Sequence, residues 1–373
     1  MAAVTKSYPL RAPCDEDFHR AAVVSYRALS ARVDAPCETV VRFARESDST
    51  TGETLNTVYS VSSSMHIDIE RLGVHESVAT VFPARVLVDS LEDLPLEVDA
   101  IGDGEIGACD AVVTLEYDDA MLECAWIHSI QSGVDRFPFE TLEDEDTILT
   151  NSTGIHGQSV GETVAGYLLA FARRLHDAVA NRGDRRWEPP AWDEAFTISG
   201  TTACVVGTGT LGTGVADVLG SLGVRVTGVR RSTEPLPEFD EMYANDDLLE
   251  AISDADFVIA TIPLTDETRH CFDAEAFAAM REDAYFVNVA RGSVVDEPAL
   301  VEALEADDIA GAALDVFETE PLPEESPLWE FDEVIVSPHC AGFTRDYGPN
   351  VGEIVRENVA RLERGDDLQN RVV

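Results

Sequence analysis

Short apolar runs alternate with amphipathic stretches through most of the chain. Thr202–Val206, Val224–Val229, Phe257–Ile262, Ala284–Val289, Ile309–Val316 and Glu333–Val336 are compact apolar runs of strand length. Between them, Leu211–Leu222, Leu248–Ile252, Ala274–Met280 and Glu297–Glu305 carry helical spacing, and Asn350–Leu362 closes the series. Strands separated by helices predict a parallel sheet with helical crossovers. Upstream, Ile67–Val74, Cys109–Leu115 and Ala125–Ile130 read as strands and Ala84–Leu91 as a helix, so 65–150 forms a smaller α/β unit. Gly161–Ala178 predicts one long helix with Leu168, Leu169, Phe171, Ala172 and Leu175 on its apolar face. Polar Asn181–Glu194, with Pro189 and Pro190, predicts a loop.

The length of 373 residues suits about two domains. No apolar run reaches the roughly 18–20 residues of a membrane helix. The N-terminus lacks a roughly 7–15-residue apolar stretch with a small-residue cleavage site, which argues against a secretory signal. Seven cysteines show neither a CxxC pair nor metal-like spacing, which predicts reduced thiols, a cytoplasmic location and no metal site.

Charge changes the picture most. Seventy-one acids stand against 26 bases, a net of −45. Such a surface repels phosphate backbones and anionic lipid, which argues against nucleic-acid or membrane partners. Lys6 is the single lysine beside 25 arginines. Dispersed acids and almost no lysine predict a protein adapted to high salt, where self-repulsion is screened within about 3 Å at 1 M. The acids are unevenly placed: residues 1–64 hold seven bases and eight acids, and 65–373 hold 19 and 63. This break, at Met65, predicts that translation starts there, with 1–64 an upstream reading-frame extension or poorly ordered tail. The alternative is a small accessory segment with a helix at Ala21–Val33.

The strand Thr202–Val206 runs into Gly207-Thr208-Gly209-Thr210-Leu211-Gly212 and then a helix. In that order the glycines allow a tight turn, close approach of backbone to a pyrophosphate, and close helix packing. The helix start at Thr210 and Leu211 adds free N–H groups and a positive dipole. About 20 residues on, an NAD site usually carries an acid for the ribose hydroxyls. Here the second strand ends in Arg230-Arg231-Ser232, with nothing acidic from Val224 to Ser232. Two arginines and a serine suit a 2′-phosphate, which predicts NADP(H) over NAD(H).

Beyond the ends of the last three strands stand Arg291, Glu320 and His339. In an open parallel sheet this edge holds the ligand. A guanidinium can fork onto a carboxylate and polarise a carbonyl. A histidine can exchange a proton with the carbonyl oxygen, and a carboxylate can orient the imidazole. Singly each residue has a bland reading. Together beside a nicotinamide site they suit hydride transfer.

From Met65 to Val373, 309 residues, the chain resembles the D-isomer-specific 2-hydroxyacid dehydrogenases. The resemblance is haloarchaeal-like in its acid excess. It rests on the glycine loop, Thr261-Ile-Pro-Leu-Thr265, Asn288-Val-Ala-Arg-Gly292, Gly311-Ala-Ala-Leu-Asp-Val-Phe-Glu-Thr-Glu-Pro321 and Ser337-Pro-His339. It implies two Rossmann-like, doubly wound parallel-sheet α/β domains flanking a cleft. The substrate domain would be 65–158 plus 345–373, and the dinucleotide domain 159–344. It implies Arg291 as the substrate arginine, Glu320 and His339 as an acid–base dyad, and cofactor contacts at Pro263, Val289, Ala290, Arg291, Asp315 and His339. Gln131-Ser132-Gly133-Val134-Asp135 resembles the loop whose backbone holds the substrate carboxylate; its alternative is a plain turn. Glutamate rather than glutamine at 320 argues against formate. Ser326-Pro-Leu-Trp329 resembles the glyoxylate/hydroxypyruvate reductase branch; Trp329 is otherwise a packing residue, as is Cys340. Homodimerisation through the dinucleotide domain is a further implication. The expected activity is NADP(H)-dependent reduction of a small 2-oxo acid. The alternatives are a catalytically silent dinucleotide sensor on the same scaffold and oxidation of phosphite or formate.

Overall fold

The computed structural model describes residues 68–373. The expectations for 1–64 lie outside them. Two parallel sheets carry the fold. In the first, β1 (Arg71–His75), β2 (Glu97–Ile101), β3 (Ala111–Thr114), β4 (Trp126–Ser129) and β5 (Ile148–Asn151) pair in the order β2-β1-β3-β4-β5. All four pairings are parallel. Helix α1 (Ala84–Ser90) lies between β1 and β2, and α2 (Phe139–Asp144) leads into β5. One face buries Ile106, Met121, Ile127, Leu142 and Leu149 completely. The C-terminal residues return to this sheet, where Val372 donates its N–H to Leu149 O at 2.8 Å.

The first sheet also buries a polar row. His128 is fully buried, with one ring nitrogen 2.8 Å from Thr150 Oγ1 and the other 3.1 Å from Ser152 Oγ. Trp126 Nε1 donates to the same Thr150 hydroxyl. Burial drives the His128 pKa down to about 3 and that of His156 down to about 4.

The second sheet holds seven strands: β6 (Thr202–Val206), β7 (Arg225–Val229), β8 (Glu241–Tyr243), β9 (Phe257–Ala260), β10 (Tyr285–Asn288), β11 (Gly311–Leu314) and β12 (Val334–Val336). Their order is β12-β11-β10-β9-β6-β7-β8, with every pairing parallel. Beginning at β6, the order reverses on either side, which opens a crevice at the strand ends. Helices α3 (Gly157–Ala172), α4 (Leu175–Asp184), α5 (Thr210–Ser221), α6 (Leu248–Ile252), α7 (Ala274–Ala279), α8 (Glu297–Glu305) and α9 (Tyr347–Arg364) complete the helical set. Both sheet faces are covered: Phe272, Phe277 and Phe286 fill one side, and Phe171, Phe257 and Tyr285 the other. Each such ring contributes about 1.5–3 kcal/mol by leaving water.

Three differences from the sequence reading have physical causes. Gly161–Ala178 is not one helix: α3 ends at Ala172, and Arg174 takes the left-handed region at φ 52° before α4 begins. The predicted loop from Asn181 starts later, because α4 runs to Asp184 and closes on left-handed Arg185. Strands β2, β5 and β8 were not foreseen. Each is only three to five residues long; β2 and β8 are partly exposed and carry acids, and half of the buried β5 is polar, Thr150 and Asn151.

Candidate active site

The edge of the second sheet gathers the candidate residues. At the end of β10, Asn288 is buried and its side chain ties the turn that follows: Oδ1 accepts Ala290 N–H and Nδ2 donates to Arg291 O, both at 3.0 Å. That turn aims Arg291. Its Nη1 donates to Ala290 O at 2.7 Å. Its Nε and Nη2 face Asp135 Oδ1 at 3.4 and 3.5 Å.

After β11 comes Glu320, and after β12 comes His339. His339 Nδ1 lies 2.8 Å from Glu320 Oε2, and Glu320 Oε1 accepts Phe317 N–H at 3.1 Å. Burial opposes a charge on Glu320. The His339 hydrogen bond and charge, the Phe317 N–H and the Arg291 charge outweigh it and hold its carboxyl below the usual carboxylate value. A carboxylate only accepts, so Nδ1 carries the hydrogen and Nε2 is left for a substrate oxygen. Arg291, Glu320 and His339 border one pocket of about 230 Å³, joined by Asp135, Arg136 and Leu264.

The predicted carboxylate loop meets Arg291 from the first sheet. A methyl on Gly133 would lie 1.5 Å from Arg291 Nη2, so the guanidinium rests directly on that backbone. Ser132 Oγ donates to Ser152 O at 3.3 Å and Ser132 O accepts from Asn151. Val134 turns into the core. Ser132, Gly133 and Val134 do not border the pocket, so what this loop presents there is Asp135.

The glycine loop fits a dinucleotide. Gly207 adopts φ 101°, and a side chain on Gly212 would lie 1.9 Å from Gly207 O. Gly209 has open space where its side chain would be and caps α5 without a side-chain bond, leaving the first N–H groups, from Thr210 to Gly212, for a ligand. Thr208 Oγ1 is buried without a partner. At the end of β7, Arg230 is folded onto its own loop, donating to Ser232 O and Glu234 O at 2.7 and 2.8 Å. Arg231 and Ser232 are exposed beside it. The side chains of Val289 and Ala290 are buried, and Pro263 O accepts Thr268 Oγ1 at 2.7 Å. Asp315, read as a cofactor contact, is 2 % exposed and spends its carboxylate on Ser337 Oγ, Cys340 N and Ala341 N. Trp329 is half exposed rather than packed, with Nε1 on Pro323 O at 2.9 Å. Sequence reasoning placed Asp135 in the candidate substrate loop for its backbone alone, and foresaw neither Arg136 at the pocket nor Asn288 shaping the arginine turn.

The model for the D-isomer specific 2-hydroxyacid dehydrogenase NAD-binding domain matches residues 165–341. A glyoxylate reductase from Thermofilum pendens is 33% identical over 265 residues, which cover 68% of this chain and 76% of the relative. The chain belongs to the D-isomer-specific 2-hydroxyacid dehydrogenase family. A glyoxylate/hydroxypyruvate reductase B from Escherichia fergusonii is 30% identical over 285 residues, covering 74% of this chain and 86% of that one. Among solved structures, a family member from Aeromonas salmonicida superposes with a TM-score of 0.70 at 28% identity, over 81% of this chain and 98% of its own. Another, from Xanthobacter autotrophicus in complex with NADPH and MES, superposes at 0.70 with 27% identity, over 82% and 98%. This family member is therefore an NAD(P)-dependent oxidoreductase of the CH–OH class. Among the described residues no helix is long and apolar enough to cross a membrane.

Proposed function

We propose that this dehydrogenase reduces a small 2-oxo acid to the D-2-hydroxy acid with NADPH, on glyoxylate, hydroxypyruvate or larger homologues. The observation that carries the reading is the convergence of Arg291, Glu320 and His339 on one pocket. When bound, the nicotinamide supplies the hydride. Arg291 binds the substrate carboxylate and carbonyl by exchanging Asp135 Oδ1, 3.4 and 3.5 Å from its Nε and Nη2, for a two-point contact that fixes the carbon to be reduced. The backbone at Gly133, pressed against the guanidinium, borders the carboxylate from the other side. His339 Nε2 gives a proton to the carbonyl oxygen, while Glu320 on Nδ1 orients the ring. Glyoxylate reductase and glyoxylate/hydroxypyruvate reductase activity belong to named relatives and guide the substrate range.

NADPH preference rests on Arg231 and Ser232 at the end of β7, with Arg230 shaping their loop. We divide the chain into a substrate domain at 65–158 plus 345–373 and a dinucleotide domain at 159–344. A homodimer through the latter is supported by Trp187 and Trp192, 99% and 93% exposed on the segment after α4. The five described cysteines are free thiols, which suits the cytoplasm. The acid excess suits molar salt. The test is oxidation of NADPH and of NADH in molar KCl against glyoxylate, hydroxypyruvate, pyruvate and branched 2-oxo acids. Turnover dependent on an oxo acid and faster with NADPH is expected. Tight NADPH binding without turnover would favour a dinucleotide sensor.

A further inference from the structure

His339 occupies the left-handed region at φ 50°, an uncommon conformation for a residue with a side chain. Something must hold it there. Its N–H donates to Asp315 O at 2.8 Å, and the residues around it are fastened to the Asp315 carboxylate. Oδ1 accepts Ser337 Oγ at 2.6 Å and Cys340 N at 2.9 Å, and Oδ2 accepts Ala341 N at 2.8 Å. Asp315 is thus the post to which the segment 337–341 is tied.

The ties continue into α3, far away in sequence. Tyr167 OH lies 2.6 Å from Ser337 Oγ. The Ser337 hydrogen is committed to Asp315, so Tyr167 donates and Ser337 relays. Burial pushes the Tyr167 phenol up to about 12, which keeps that hydrogen in place. One helical turn earlier, Thr163 Oγ1 donates to Ala341 O at 2.8 Å. One face of α3 therefore grips both ends of the segment that presents His339.

The geometry points to Tyr167, acting through Ser337 and Asp315, as a positioning residue for the proton-exchanging His339. The inference rests on the proposed oxo-acid reduction for its kinetic consequence but not for its structural one. Tyr167 touches neither the pocket nor its contents. Its hydroxyl completes a chain in which each hydrogen has one acceptor, and such chains act as units rather than as sums of pairs.

Three variants of the full chain test this in molar KCl: Tyr167→Phe, Ser337→Ala and the double variant. Phenylalanine keeps the ring that packs in the core and removes the hydroxyl alone. We expect Tyr167→Phe to lower kcat about tenfold, with KM for NADPH and oxo acid within about twofold, as for a group acting on proton transfer rather than binding. Ser337→Ala should show a loss of that size or more, and the double variant no more than Ser337→Ala alone. Hydrogen exchange at the Cys340 and Ala341 amides, read by mass spectrometry, should quicken at least about tenfold in Tyr167→Phe. Wild-type kcat and wild-type exchange in Tyr167→Phe would overturn the inference, as would losses that simply add. If the unmodified protein turns over no oxo acid, the functional reading fails, and the exchange comparison still decides whether Tyr167 holds the loop.

Discussion

His339 Nδ1 and Glu320 Oε2 stand 2.8 Å apart on the ends of neighbouring strands, 19 residues apart in sequence. The pair sets which ring nitrogen is free, and so which atom meets the substrate. His339→Ala should lower kcat about 10²–10⁴-fold while NADPH affinity stays within about twofold. Glu320→Gln should cost less, because the amide oxygen can still accept from Nδ1 while the charged carboxylate that holds the ring is gone. Steady-state kinetics across pH, with NADPH binding by fluorescence, check both.

Gly133→Ala brings a methyl into the space of Arg291 Nη2. Either the guanidinium or the 131–135 loop must shift by an ångström or more. A misplacement of that size costs on the order of 10²-fold in rate. KM for the oxo acid should rise and kcat fall, with dinucleotide affinity kept. Unchanged kinetics would mean that the loop and the arginine do not act together.

Arg231→Ala should weaken NADPH by about 10–100-fold, the worth of a charge-assisted hydrogen bond to phosphate, and leave NADH nearly untouched. Arg230→Ala should disturb both cofactors mildly, since its donors are bound to Ser232 O and Glu234 O. Comparison of kcat/KM for the two cofactors separates the roles.

His128 and His156 stay neutral in the folded chain down to about pH 3 and 4. In the unfolded chain they take protons near pH 6.5. Below that pH the unfolded state binds more protons, so stability falls as pH falls from about 6.5 to 4. The loss at the acid end is a few kcal/mol, about 1.4 per unit of pKa gap. Thermal unfolding from pH 7 to 4.5 should show this slope, and His128→Gln should flatten it.

The melting temperature should rise with KCl well beyond 0.15 M, where a surface of ordinary charge balance has already been screened. A curve flat above that concentration would detach the acid excess from salt adaptation.

Six of the seven strands of the second sheet were readable because they are short, apolar and punctuated, and because Gly207, Gly209 and Gly212 mark the strand-to-helix turn. Arg291, Glu320 and His339 were readable as strand-end residues. Arg174 shows what was not: its left-handed turn splits a continuous helical pattern at an arginine, with no glycine or proline to signal it. Strand β2, Glu-Val-Asp-Ala-Ile, hides its alternation among surface acids. The Tyr167–Ser337 contact joins residues 170 apart, and neither carries a mark of the other until the chain is folded.

Helix α3 grips the histidine segment and also meets the dinucleotide helix α5 backbone to backbone. A side chain on Gly214 would lie 2.2 Å from Gly157 O, and one on Gly161 would lie 2.6 Å from Gly214 O. At these three glycines the seam has no room for even a methyl, so they offer no graded path for mutation. Divergence toward other oxo acids is left to the residues that line the pocket without carrying chemistry, Arg136 and Leu264 first among them.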